Sequence, residues 1–317
     1  MKVCVVIPCY KVKNHITNVI NSIPNLVQKI YVIDDSCPEG SGLHAKMQNN
    51  DSRVEFIFHD SNLGVGGAVK TGYAKALQEG FDIAVKIDGD GQMDPLLISK
   101  FITPIIMKKA DYTKGNRFYK LSYLKGMPGV RLFGNTVLSF ISKLSTGNWK
   151  ITDPTNGFTA LRLKVSQYID LDHIDNRYFF ETDMLFQLGL INARIIDIPM
   201  EASYGSETSN LSVKKILFEF SWKHIRTFFK RILIKYFLRD INIGSIFLVV
   251  GTVCSIFSLF LGIPLWMHKA VYDIESLTGI LVLFILSTLL GVQGLSCWMF
   301  YDVFSQAGNS VTDLLGE

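Results

Sequence analysis

The sequence holds no Asp, Glu, Lys or Arg in two long stretches near its end, residues 243–267 and 276–301. Each runs about 25 residues, and roughly 20 suffice for a helix to cross a bilayer. One such run is ordinarily a buried core helix. Two, joined only by the short connector "HKAVYDIE", predict a two-helix transmembrane hairpin. The five cysteines (Cys4, Cys9, Cys37, Cys254, Cys297) show no metal-ligand spacing and no paired framework. That argues against a zinc site and a disulfide scaffold and fits free thiols in a reducing compartment. The start is not expected to act as a secretory leader. "MKVCVVIPCY" carries one Lys and an apolar run that Pro8 ends, and no small-residue cleavage site follows. The N-terminal part is therefore expected in the cytosol. No internal repeat and no low-complexity segment is visible.

What is present is an alternation. Val3–Ile7, "KIYVID", "RVEFIFH", "DIAVKID" and "ADYTKGNR" read as strands. Helical spacing separates several of them: His15 to Ile23, Gly67 to Gln78, and Pro95 to Met107 with Asp94 as its N-cap. Strand and helix in turn predict an α/β fold with a mostly parallel sheet, Rossmann-like in plan. Ligands of such sheets bind beyond the carboxyl ends of the strands. Asp34-Asp35 and Asp88-Asp90 both fall there.

Residues 211–240 form a separate zone. Lys214, Lys215, Lys223, Arg226, Lys230, Arg231, Lys235 and Arg239 interleave with Phe220, Trp222, Phe228, Phe229 and other large apolar residues. Cations and apolar groups at near-helical spacing predict basic amphipathic helices in the headgroup layer. Their position before the first span places that side, and both termini, in the cytoplasm. The resulting division is 1–210 as a cytosolic domain, 211–240 as juxtamembrane helices and 241–317 as the hairpin with a short tail. Gly251, Ser255, Gly291, Gly294 and Ser296 are small enough for close helix packing, within the hairpin or between subunits of a homo-oligomer. Because the cations gather beside the spans and not on the sheet, nucleic-acid binding is not expected.

The stretch "VKIDGDGQMDP" crowds Asp88, Asp90 and Asp94 into seven residues. It is not a calcium loop, since the fifth, sixth and twelfth places counted from Asp88 hold Gln92, Met93 and Ser99. "NLGVGGAVKTG" is not a Walker loop, since Val69 precedes Lys70. Asp-Gly pairs commonly make tight turns. A strand-end Asp-x-Asp also suits a divalent metal, Mg²⁺ or Mn²⁺, that shares its remaining positions with phosphate oxygens. The metal would relieve the repulsion among the carboxylates. Asp34-Asp35 could reach a nucleoside.

In order, "VVIPCYKVKNHI", "VIDDSC", "NLGVGGAVKTGYAKA", "KIDGDGQMDP", "KGNRF" and "DPTNGFTALR", followed by the hairpin, resemble the inverting GT-A glycosyltransferases of family 2. The branch is that of polyprenyl-phosphate sugar synthases, similar to dolichol-phosphate mannose synthase and bacterial undecaprenyl-phosphate glucosyltransferases. The resemblance implies metal-dependent transfer of a sugar from a nucleotide-sugar, of GDP-mannose or UDP-glucose type, to a membrane polyprenyl phosphate, undecaprenyl or dolichyl. It implies Pro8 and Tyr10 in the nucleotide pocket, Asp34 or Asp35 on the nucleoside, Asp88 near nucleotide and sugar, and Asp90 and Gln92 on the metal. Gly64, Gly66 and Gly67 would let a helix pack close beneath the nucleotide, or make a plain turn.

Lipid phosphate needs cations more than a base, because its second proton is lost near pH ~6. Arg117 and Arg131 are the candidates, guanidinium groups being bidentate phosphate ligands. Asp153 matches the family's base or sugar-contact position, and with a phosphate acceptor it orients the sugar. Glu181 and Asp183 lie on a predicted helix, where one faces the sugar or the pair serves capping and surface charge. "YGSETSNLSVKK" departs from the cation-bearing loop of relatives, its lysines coming only at Lys214 and Lys215. Two other readings remain. Transfer to a glycan hydroxyl is disfavoured by the missing Gln/Arg-x-x-Arg-Trp signature. A non-catalytic membrane scaffold is disfavoured by the intact Asp88, Asp90, Gln92, Arg117 and Asp153.

Overall fold

The computed structural model describes residues 1–120, 129–201, 213–272, 278–305 and Val311, without the side chains of 130–131, 213–218, 266–272 and 278. The strands are β1 (Val3–Cys9), β2 (Lys29–Asp34), β3 (Val54–Phe58), β4 (Ile83–Lys86), β5 (Tyr112–Asn116), β6 (Thr159–Arg162) and β7 (Ile195–Pro199). Around them lie α1 (Ile16–Asn21), α2 (Ser41–Gln48), α3 (Val65–Gln78), α4 (Ile98–Ile106), α5 (Gly129–Thr146) and α6 (Phe180–Leu190). They are followed by α7 (Val213–Leu233), α8 (Ile243–Tyr272) and α9 (Thr278–Phe304). Asp94 accepts from the Leu96 amide at 2.9 Å and opens the 3₁₀ turn Pro95–Leu97 that leads into α4.

The strands form a seven-stranded sheet in the order β3-β2-β1-β4-β6-β5-β7. β1 pairs parallel with β2 and β4, β2 with β3, and β5 with β7. β6 runs antiparallel between β4 and β5. The sheet is thus mostly parallel, as the strand–helix alternation implies. The period of two in β1 shows how it is covered. Val3, Val5 and Ile7 join one buried cluster with α1 and α4 residues, while Cys4 and Val6 join a second with α3 and α6 residues. Both faces are dry, which is why the strands read as continuous apolar runs.

The chain divides into two compact units, Met1–Phe228 with Ala307–Glu317, and Phe229–Gln306, and the division falls inside α7. In the first unit, the Val311 amide donates to Asp111 Oδ2 at 3.0 Å, beside the Arg194 amide at 2.9 Å. The Val311 side chain joins the cluster that holds Cys4 and Val6.

The second unit is built on α8 and α9. Two helical stretches, Ile243–Leu265 and Gly279–Phe304, are long and apolar enough to cross a membrane. Core helices bury such side chains, but Phe260 is 76% exposed and Leu289 61%. The small residues are spent within the hairpin. A Cβ at Gly251 would meet the backbone of Gly294 and Leu295, and one at Gly291 would meet Ser255. The Ser258 and Thr288 hydroxyls bond across the two helices at 2.6 Å. Near the end of α9, Asp302 is fully buried and binds Arg231 at 2.7 Å, Lys235 at 3.0 Å and the Tyr236 hydroxyl at 2.6 Å.

Candidate active site

A cleft of about 620 Å³ opens beyond the carboxyl ends of β1 and β4, lined among others by Pro8, Tyr10, Asp35, Gly64, Asp88 and Asp90. These six come from the sequence reading, and the fold brings them together. The two strand-end carboxylate pairs have different surroundings. Asp34 takes the amides of Cys37 at 2.8 Å and Gly42 at 2.7 Å, which ties down the entry to α2. Asp35 takes the amides of Leu63 at 2.9 Å and Gly64 at 2.7 Å, and its Oδ1 is 2.9 Å from His59 Nδ1. Both are nearly buried, and Asp35 alone of the two lines the cleft.

Asp88 instead meets a cation. Lys86 Nζ lies 2.9 Å from Asp88 Oδ1 and 3.0 Å from Glu181 Oε1. Lys86 is 1% exposed. Burial alone would depress this lysine, but the Asp88 and Glu181 charges outweigh it and hold the ammonium above the usual value. The crowding has a backbone requirement: a Cβ at Gly157 would collide with the Asp88 carboxylate. Gly157 ends the turn that begins at Asp153, so that turn is pressed against Asp88.

Asp153 is 1% exposed and forms a two-pronged pair with Arg117, Nε to Oδ2 at 2.7 Å and Nη2 to Oδ1 at 2.8 Å. Neither is among the residues lining the cleft. Below them Lys114 is fully buried and donates to the Asn156 carbonyl at 2.5 Å. Burial brings its pKa down to about 8, against the pull of the Glu181 and Asp153 charges. Glu181 and Asp183, one helical turn of α6, part company. Glu181 lines the cleft, while Asp183 accepts from the Asp175 amide at 2.9 Å. Arg131 lies on α5, but its side chain is outside the described residues, as are residues 202–212, which hold most of "YGSETSNLSVKK".

The glycines at the start of α3 do not serve a nucleotide alone. Gly64 has φ +95°, and a Cβ there would strike the Asn176 carbonyl. The segment 174–177 packs on this helix start, with Gly67 N donating to Asn176 O at 3.1 Å and Lys70 Nζ to Ile174 O at 3.0 Å. It thereby carries Arg177 and Tyr178 into the cleft wall, and Phe220 of α7 joins them. Sequence reasoning passed over Arg177, Tyr178 and Lys86. For Lys86 there was a signal, a lone charge in the otherwise apolar strand "IAVK".

Asp90 and Gln92 sit on a tight turn at Gly91, φ +76°, where the Gln92 amide donates to Asp90 Oδ1 at 3.0 Å. Among the described residues no cluster of three or more His, Cys, Asp or Glu forms a cage. The donor set still fits a hard divalent ion: a carboxylate and an amide oxygen supply two ligands, and diphosphate oxygens and water supply the rest. Asp88 is already compensated by Lys86, so Asp90 with Gln92 is the pair suited to a metal.

Residues 4–169 match the family described as Glycosyl transferase family 2. A UDP-N-acetylglucosamine–dolichyl-phosphate N-acetylglucosaminyltransferase of Methanococcus voltae is 30% identical over 213 residues, covering 63% of this chain and 84% of that protein. An undecaprenyl-phosphate mannosyltransferase of Micrococcus luteus is 27% identical over 204 residues, covering 63% and 83%. Among solved structures, glucosyl-3-phosphoglycerate synthase of Mycobacterium tuberculosis, with Mn²⁺, UDP and phosphoglyceric acid bound, superposes with a TM-score of 0.53 at 18% identity. It covers 73% of this chain and 78% of its own, a likeness of fold. The fold is of the GT-A type, and the chain belongs to glycosyl transferase family 2, as a glycosyltransferase.

Proposed function

We propose that the protein transfers a sugar, with inversion, from a nucleoside-diphosphate sugar to a polyprenyl phosphate at the cytoplasmic membrane surface. The observation that carries this reading is the strand-end cleft in which Asp88 and Asp90 stand beside the Lys86–Glu181 pair. The nucleoside lies against Pro8 and Tyr10, with Asp35 and the Gly64 turn fixing that wall. Asp90 and Gln92 hold Mg²⁺ or Mn²⁺. When bound, the ion neutralises the leaving diphosphate and acts as a Lewis acid. Asp88 and Glu181 face the sugar.

The acceptor assignment rests on the two relatives, whose names specify dolichyl and undecaprenyl phosphate, and on the chemistry of the nearby carboxylates. Asp88, Glu181 and Asp153 are each ion-paired. A carboxylate held in this way is placed to orient its neighbours. A phosphate nucleophile needs no base, because it is already anionic. It needs a cation, and Arg117, held by Asp153 outside the lining of the cleft, is the candidate.

Membrane attachment follows from the apolar, outward-facing α8 and α9. Cations including Arg226, Lys230 and Arg239 on the N-terminal side favour a cytoplasmic start. Val311, packed into the catalytic unit, supports a hairpin whose two ends return to one side. The test is transfer by the purified full chain in detergent: a panel of GDP- and UDP-sugars, Mg²⁺ or Mn²⁺, and undecaprenyl or dolichyl phosphate, with product read as lipid-linked sugar. Transfer only to a soluble glycan would replace the acceptor assignment.

A further inference from the structure

Resting on that reading, we propose that Lys86 is a positioning residue that aligns Asp88 and Glu181 as a charge-compensated pair of acceptors for the donor's sugar hydroxyls. The two carboxylates come from β4's end and from α6, 93 positions apart in the chain. Only a cation between them lets both face one cleft. Lys86 fills that place, with Nζ at 2.9 Å from Asp88 and 3.0 Å from Glu181. It is 1% exposed, so water screens these contacts little.

A Cβ at Gly157 would lie 2.7 Å from Lys86 Nζ, so the glycine backbone closes in on the ammonium. A guanidinium, wider than an ammonium, would press on that backbone and on the two carboxylates. The contacts also divide the cleft. The Asp35 and Gly64 wall is held by backbone amides and does not depend on Lys86. Loss of the lysine should therefore loosen the sugar end and leave the nucleotide end in place. It should also free Asp88, which the lysine now holds beside the metal pair Asp90 and Gln92.

The test compares affinities of the full-length protein in detergent, with Mn²⁺, for UDP-glucose against UDP and for GDP-mannose against GDP, by calorimetry. For whichever pair wild type binds, Lys86→Met should weaken the nucleotide-sugar by about tenfold or more while the bare nucleotide changes less than about twofold. Lys86→Arg should behave like Lys86→Met. A lysine that only stabilises the fold would weaken both ligands together or neither, and either result overturns the proposal. If Lys86→Met does not fold, Lys86→Met/Glu181→Met removes both charges. Its melting temperature should return toward wild type while the sugar's contribution to binding stays lost. Recovery of that contribution in the double variant overturns the proposal. Failure of wild type to bind any of the four nucleotides would instead overturn the functional reading on which it rests.

Discussion

Two carboxylate pairs close two neighbouring regions of the sheet, Asp34-Asp35 after β2 and Asp88-Asp90 after β4. In the sequence they look alike, each following an apolar strand. In the fold they are put to opposite uses. Asp34 and Asp35 are consumed by five contacts: four backbone amides and a histidine ring. Asp88 is balanced by a buried lysine, and Asp90, on the Gly91 turn with Gln92, lines the cleft. The neighbours of a strand-end carboxylate thus set how much of it is spent on loop amides: two each for Asp34 and Asp35, one for Asp90.

The contrast can be broken by exchanging what each pair does. Asp90→Ala should lower turnover by about 10³-fold, the loss of a metal-held leaving group, with a smaller change in melting temperature than Asp35→Asn, since the half-buried Asp90 holds one loop amide where Asp35 holds two. Next in size, Asp153→Asn should lower kcat by about 10²-fold through loss of the fixed guanidinium. Its pH–rate profile should keep the wild-type shape, and disappearance of an ionisation would identify Asp153 as a base. Asp35→Asn should do the reverse of Asp90→Ala. Losing the charged acceptor for two amides costs about 2 kcal/mol, read as a melting temperature lower by roughly 4–8 °C.

Last comes an effect of pH, at a carboxylate that holds a single backbone amide. Asp197 on β7 accepts from Asn116 at 2.8 Å and the Thr152 amide at 3.0 Å, but Oδ1 is buried without a hydrogen-bond partner among the described residues. Burial raises its pKa from 3.8 to about 6, despite those two donors and Lys114. A raised folded pKa means that the protonated form is the more stable one in the fold. This contribution is full below the unfolded value near 4 and is lost as pH rises through about 6. The share is at most about 3 kcal/mol. The melting temperature of wild type minus that of Asp197→Asn should therefore grow as pH falls from 7 to 5. A difference independent of pH would show that Asp197 does not titrate there.

Much of the fold was legible because apolar runs bounded by Gly, Pro and Asp announce strands buried on both faces. β1 to β5, α1, α3 and α4 are of this kind. β6, "TALR", and α2, "SGLHAKMQ", were not, since four residues carry no period and α2 has no apolar stripe. The six cleft residues were legible from strand ends and motif order. Their partners were not. The amides that hold Asp35 arrive from 28 and 29 positions away, and Glu181 reaches Lys86 from 95 positions away. Long-range contacts of this kind are set by which strands become neighbours, as when β6 inserts between β4 and β5. The lone lysine of "IAVK" was the trace left in the sequence.

The measurement that tests the central claim most directly is sugar transfer to polyprenyl phosphate by the purified full chain and by Asp90→Ala, each with Mg²⁺ or Mn²⁺ and with chelator. The account predicts a lipid-linked sugar that needs the metal and disappears in Asp90→Ala. Equal product from Asp90→Ala, or from wild type in chelator, would contradict it.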